Sequence, residues 1–299
     1  MNAFVKLPIL SALLLIFVSP AFGDGVVIYN TIPNPLPPNV PSQPYQAVQA
    51  GEFGGLIQFA GGDSSYTLGS ATVAMSDWAL GSDYSVQFGT TITGATIASS
   101  GFYLPLTLDI YNVGADNTVG SLIDSDTIDA FIPWRPAPGG GTCTGTTYEG
   151  SNGGCYNGSL STVTFDLTGV SVPDQVIYGI AFNTTDYGSS PTGVAGPYDS
   201  LNFGLSTTSP TVGSNPLLGT VYWETSSAHW YADGGTGGVG IFRQDQNWAP
   251  YTGAIQFTGN PASTPTPEPS SLLLLGTGLA GLAGVVFRKA TPSGPVSNS

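Results

Sequence analysis

From Asp24 to Ala262 the apolar residues recur at every second position in short runs, and each run ends in a cluster of Gly, Pro, Asn or Asp. Side chains alternate sides along a strand, so a period of two marks a strand with a covered face. Leu104, Leu106, Leu108 and Ile110 share one face of Tyr103 to Val113, with Pro105 in the other register, a sign of an edge strand or a strand start. Val163, Phe165 and Leu167 alternate with Thr164 and Asp166, and Leu201, Phe203 and Leu205 with Asn202 and Gly204. In Val176 to Phe182 both registers are apolar or small, as in a central strand covered on both faces. Val26 to Tyr29, Leu56 to Phe59, Leu68 to Met75, Val221 to Trp223, Val239 to Phe242 and Ile255 to Phe257 complete the set. No stretch of this span repeats every 3.6 residues with helix caps. The pattern predicts an all-β fold, an antiparallel β-sandwich of jelly-roll-like form, occupying residues 24–262.

Two details refine that expectation. Thr31 to Pro44 holds six prolines and reads as an extended, irregular cover. Gly55-Leu56-Ile57-Gln58-Phe59 is echoed by Gly253-Ala254-Ile255-Gln256-Phe257. The echo suggests that these segments pair side by side and close a single sandwich, with both termini on one side.

Charge narrows the function classes. Residues 24–262 carry 18 acidic side chains against two basic ones, Arg135 and Arg243, a net charge of −16 with His229 neutral. Nucleic acid is not an expected partner, because its binding rests on Lys and Arg neutralising phosphates. Anionic lipid surfaces are disfavoured for the same reason. Aromatic and β-branched residues are plentiful, so the acidity belongs to a folded domain and not to a disordered tail.

The ends speak of export. Residues 1–23 have a basic residue at Lys6, an apolar run from Leu7 to Val18, and the small-residue site Ala21-Phe22-Gly23, the three parts of a cleaved signal peptide. Residues 263–270 form a Pro-rich stem. Ser271 to Phe287 is uncharged and is followed by Arg288 and Lys289. At about 1.5 Å per residue a helix there spans roughly 25 Å, near the minimum for a bilayer core. Residues 271–289 are therefore expected to be a transmembrane helix with a basic stop, and 290–299 a polar tail. Cys143 and Cys155, an even pair in an exported chain, are expected to form a disulfide that closes a glycine-rich loop.

Candidate chemistry is sparse. No Gly-x-Ser-x-Gly elbow occurs, and His229 is the only histidine, so no catalytic residue is assigned and the chain is expected not to be an enzyme. Asp124, Asp126 and Asp129 stand at near-alternate positions and offer hard oxygen ligands for calcium, although a solvated aspartate-rich hairpin is the simpler reading and no other cofactor is implied. Trp223, Glu224, Trp230 and Tyr231 offer aromatic faces and an acid for a lectin-like polysaccharide site. A glycoside hydrolase needs a second carboxylate near Glu224, and the ectodomain has only Glu52 and Glu149 as further glutamates.

The order Pro267-Glu268-Pro269, apolar helix, Arg288-Lys289 resembles the PEP-CTERM sorting signal of Gram-negative bacteria. The resemblance implies handling by an exosortase, with Pro267, Glu268 and Pro269 as the recognition motif and Arg288 and Lys289 as retention charges. It implies passage through the inner membrane, anchoring by the C-terminal helix, and then the cell surface or extracellular matrix. The tail from Ala290 to Ser299 is longer than such signals usually carry. Tyr29-Asn30-Thr31-Ile32-Pro33, Leu108 to Gly114 and Val176 to Ala181 also resemble the "choice-of-anchor" extracellular β-domains, a likeness that implies a surface protein with a structural or adhesive role.

Overall fold

The computed structural model describes residues 25–62, 65–188, 190–227 and 239–262. The expected signal peptide (1–23), the expected stem (263–270), the 271–289 segment with its basic pair, the 290–299 tail, and His229, Trp230 and Tyr231 lie outside the described residues.

The first strands are β1 (Val26–Asn30), β2 (Ser42–Pro44), β3 (Ala50–Gln58), β4 (Ser65–Asp77), β5 (Thr91–Ile92), β6 (Ala95–Ala98), β7 (Gly101–Val113), β8 (Val119–Pro133) and β9 (Tyr148–Glu149). They are followed by β10 (Cys155–Tyr156), β11 (Ser159–Asp166), β12 (Ser171–Pro173), β13 (Gln175–Ala181), β14 (Leu201–Ser206), β15 (Val221–Thr225), β16 (Arg243–Asp245), β17 (Thr252–Gly253) and β18 (Ile255–Pro261). Among the described residues a four-residue α-helix, α1 (Tyr45–Val48), and three short 3-10 helices (Gly81–Gln87, Ala115–Asn117 and Pro197–Ser200) interrupt them. The first eight-stranded sheet runs β1-β18-β4-β14-β17, with β11 and β12 on β4 and β2 on β14. The second runs β16-β15-β3-β13-β7-β6-β5, with β8 on β7. The main pairings, β1 with β18, β3 with β13, β4 with β11 and β7 with β8, are all antiparallel.

Alternation explains the core. Leu104, Leu106, Leu108 and Ile110 from β7 turn inward to meet Val73 and Met75 of β4, Val163 and Phe165 of β11, and Ile255 and Phe257 of β18 in one apolar cluster. Full burial of each such side chain contributes about 1.5–3 kcal/mol. Strand β13 is buried on both sides as its sequence predicts: Val176, Tyr178 and Ile180 join the main core, while Ile177 packs with Leu56 and Tyr222 on the outer side.

Three expectations are corrected. The echoing segments do not pair. Leu56 and Ile57 belong to β3 and bond to β13, whereas Ile255 and Phe257 belong to β18 and bond to β1 and β4. They meet across the core instead, with the rings of Phe59 and Phe257 5.7 Å apart. Pro105 neither starts nor edges its strand. It sits where β6 has stopped pairing at Tyr103 and β13 has not begun at Thr107, so no ladder bond on that side is lost. Val239 to Phe242 forms no strand; the pairing begins at Arg243.

The proline-rich run does act as a cover. Pro38 and Pro41 carbonyls accept from the backbone N–H groups of Leu160 and Leu205, at 2.9 and 2.7 Å. Cys143 and Cys155 are joined, with Cα atoms 5.5 Å apart. Their loop is tied to the body by Arg135, which donates from Nη1 to the Thr146 carbonyl and from Nε to the Trp78 carbonyl.

Candidate functional site

The outer face of the second sheet gathers three carboxylates. Glu52 on β3 and Glu224 on β15 are directly opposed in the antiparallel register, and Asp109 on β7 lies two strands away across Gly179 of β13. They line one open cleft with Gly51, Thr107, Ser125 and Thr127. Glycine makes this possible. A β carbon on Gly179 would overlap the Glu52 carboxylate, and one on Gly51 would press on the Tyr187 ring and the Glu224 carboxylate. Without those side chains Glu52 lies flat on the sheet and is only 7% exposed.

Two tyrosines hold the acids. Tyr111 donates to Glu52 Oε1 at 3.1 Å, and Tyr187 donates to Glu224 Oε1 at 2.5 Å. Burial, with the negative charge of Asp109 and then Glu224, pushes the Glu52 carboxyl up to about 8, although the Tyr111 hydrogen bond works the other way. Asp109 is raised as well, by burial and by Asp124. The neutral Glu52 so favoured is a hydrogen-bond donor as well as an acceptor. Farther along the same face Tyr103 and Phe131 form an exposed aromatic pair with ring centres 5.1 Å apart.

The residues singled out by sequence fare unevenly. Trp223 points inward: it is 1% exposed, packs on Trp248, and donates from Nε1 to Asp245 Oδ2 at 2.9 Å. Its ring is not available to a sugar, which removes it from the expected polysaccharide site. Glu224 remains on the outer face, beside Glu52. Trp230 and Tyr231 lie outside the described residues. The calcium set also divides. Asp124 and Asp126 stand opposite the inward residues Ile110 and Leu108, while Asp129 stands opposite outward Pro105, so the three do not share a face. Nor do they form a hairpin turn, since all three lie within the 15-residue β8. Among the described residues no group of three His, Cys, Asp or Glu side chains is placed to hold a metal ion.

Residues 265–289 match the model of the PEP-CTERM protein-sorting motif. The chain carries an exosortase sorting signal. A PEP-CTERM motif marks an exported protein sorted to the cell surface by an exosortase. No curated protein and no solved structure matches the chain. None of the described helices is long and apolar enough to cross a membrane, and the apolar part of the PEP-CTERM segment lies outside the described residues. The last described residue before the signal, Ala262, is tied to the sheet by its N–H, which donates to the Ser65 carbonyl at 3.0 Å.

Glu52 and Asp109 were not found as site residues from sequence, because only the strand pairing brings them beside Glu224. One signal was present: Glu52 stands among Gly51, Gly54 and Gly55, where side chains are absent on a strand that otherwise reads as core.

Proposed function

We propose that the chain is an exported, surface-sorted protein whose β-domain has a structural or adhesive role, without catalysis, at the cell surface or in the extracellular matrix. The observation that carries this reading is the PEP-CTERM match over residues 265–289. In this reading residues 1–23 direct export and are removed, and residues 271–289 hold the chain in the membrane. Exosortase engages Pro267, Glu268 and Pro269, and Arg288 and Lys289 fix the segment on the cytoplasmic side. We read the domain as a jelly-roll β-sandwich of the choice-of-anchor kind. The pairing of β1 with β18, β3 with β13, β4 with β11 and β7 with β8 supports the jelly roll, because it is that of one long hairpin rolled into two sheets. Strands β14 to β17 are then an insertion before the last strand.

The test is delivery. Replacing Pro267, Glu268 and Pro269 together with alanine should leave an unprocessed, membrane-bound chain and remove it from the surface fraction, read by pulse–chase and by protease shaving of whole cells. Unchanged processing and surface yield would overturn the reading.

Polysaccharide recognition is the second reading, favoured by the carboxylates that line the open cleft and the exposed Tyr103–Phe131 pair on one sheet face. Hydrolysis comes third. Glu52 and Glu224 would be its acids, and it predicts release of reducing sugar that Glu52→Gln and Glu224→Gln each abolish.

A further inference from the structure

On the outer face of the first sheet, Trp78 differs from Trp223, which the sequence made a candidate. It is 44% exposed, against 1% for Trp223. Its exposure is not looseness. The indole Nε1 donates to Ser76 Oγ at 3.1 Å, and the Ser76 hydroxyl donates onward to Asn39 Oδ1 at 2.8 Å. A β carbon at Gly158 would overlap Nε1 and crowd Ser76 Oγ, so a glycine makes room for this relay. The Trp78 backbone is held on both sides: its N–H donates to the Ser200 carbonyl and its carbonyl accepts from Arg135 Nε, each at 3.0 Å. The polar edge of the ring is thus satisfied inside the protein, and an apolar ring surface is fixed toward solvent.

Polar groups converge beside it. Ser42, Pro44, Asp199, Ser200 and Asn202 complete a shallow cavity with Trp78. Asn202 stands opposite Ser76 in the strand pairing, is 8% exposed, and donates from Nδ2 to Ser42 Oγ at 3.2 Å. Asp199 is held by the N–H and hydroxyl of Thr185 and by the N–H of Gly196. A rigid apolar platform bordered by preorganised amide, hydroxyl and carboxylate groups suits a ligand with one apolar ring face and a hydroxyl rim. A platform held in this way loses little side-chain entropy on binding.

We propose that the Trp78 cleft binds one pyranose ring of a neutral polysaccharide. Neutrality follows from Asp199 in the wall and from the net charge of −16 over residues 24–262, both of which repel acidic glycans. The site rests on the surface-protein reading, for it gives the adhesive role a ligand class, and it uses residues separate from the Glu52–Glu224 face.

The experiment titrates the full chain in detergent with cellohexaose, xylohexaose, mannohexaose and chitohexaose, followed by tryptophan fluorescence and calorimetry. Saturable binding of at least one is expected, weakened about tenfold or more by Trp78→Ala and less by Trp78→Phe. In the wild-type chain the bound oligosaccharide should also shield Trp78 from N-bromosuccinimide, read by peptide mass, a measurement that needs no variant. No binding by any of the four, equal binding by Trp78→Ala, or absent shielding overturns the site. Protease shaving of cells expressing Trp78→Ala separates the two ideas: surface delivery should persist, and its loss in wild type would count against the sorting reading instead.

Discussion

Glu52 and Glu224 stand directly opposite each other on adjacent strands, with both carboxylates in one cleft; the first is buried and the second half-exposed. Most proteins keep buried acids paired with a cation. Here the pair faces Asp109 and two tyrosine hydroxyls, so the buried member is driven toward its neutral form.

Stability should therefore fall as pH rises. The Glu52 carboxyl is raised from 4.5 to about 8 in the folded chain, so the fold binds this proton more tightly than the unfolded chain does. The penalty is absent below the unfolded value, grows across that window, and is complete above about 8. Asp109 and buried Asp77, both raised by burial, add slope of the same sign. Thermal melts from about pH 5 to about pH 8 should show a falling Tm, and Glu52→Gln should flatten much of the fall and melt higher than wild type at the alkaline end. A wild-type Tm that is level or climbs over this range contradicts the assignment.

Gly179 and Gly54 should respond differently to alanine. At Gly179 the added carbon meets the Glu52 side chain, whereas at Gly54 it meets the Tyr178 carbonyl of the neighbouring strand. Each substitution should destabilise by roughly 1–3 kcal/mol or more. Glu52→Ala should recover part of the loss for Gly179→Ala and none for Gly54→Ala, in urea unfolding of the single and double variants.

Asp245 bridges two indoles. Its Oδ2 accepts from Trp223 at 2.9 Å and from Trp248 at 2.8 Å, and the residue is 1% exposed. Asp245→Ala strips the partner from both N–H groups and should cost about 2–4 kcal/mol, while Asp245→Asn, which keeps an acceptor oxygen, should cost less. Equal losses for the two variants would point to packing and not hydrogen bonding.

Reducing the Cys143–Cys155 bond frees a loop whose ends are 12 residues apart in sequence. In the chain-entropy model the bond contributes about 3 kcal/mol. Urea midpoints with and without reductant should differ accordingly, and a Cys143→Ser/Cys155→Ser chain should show no reductant effect.

Calcium should not shift stability through β8. Asp129 faces away from Asp124 and Asp126, so melts with calcium and with chelator should coincide. A clear rise in Tm that Asp126→Asn removes would restore a calcium role for this strand.

Period-two alternation carried most of the fold. It placed the inward residues of β7 and β11 correctly because each of those strands buries one dominant face. The same rule, applied strictly, would have separated Trp223 from Glu224, since sequence neighbours on a strand face opposite sides. It would likewise have divided Asp126 from Asp129. Tertiary register was beyond its reach. The Gly55–Phe59 and Gly253–Phe257 echo reflects two strands that each place a phenylalanine in the core, and that role is the same whether they lie side by side or face to face. The Glu52–Glu224 opposition depends on which strand follows β3 in the sheet, and no local pattern carries that.

The pairing of β1 with β18 has a mechanical meaning. If the chain is held by its carboxyl end, as proposed above, drag enters at Ala262, where β18 begins to carry the load. That strand is flanked by β1 on one side and β4 on the other. Tension is thus divided between two ladders, where an outermost strand would peel from one, and the tether enters the domain along a seam that resists tearing.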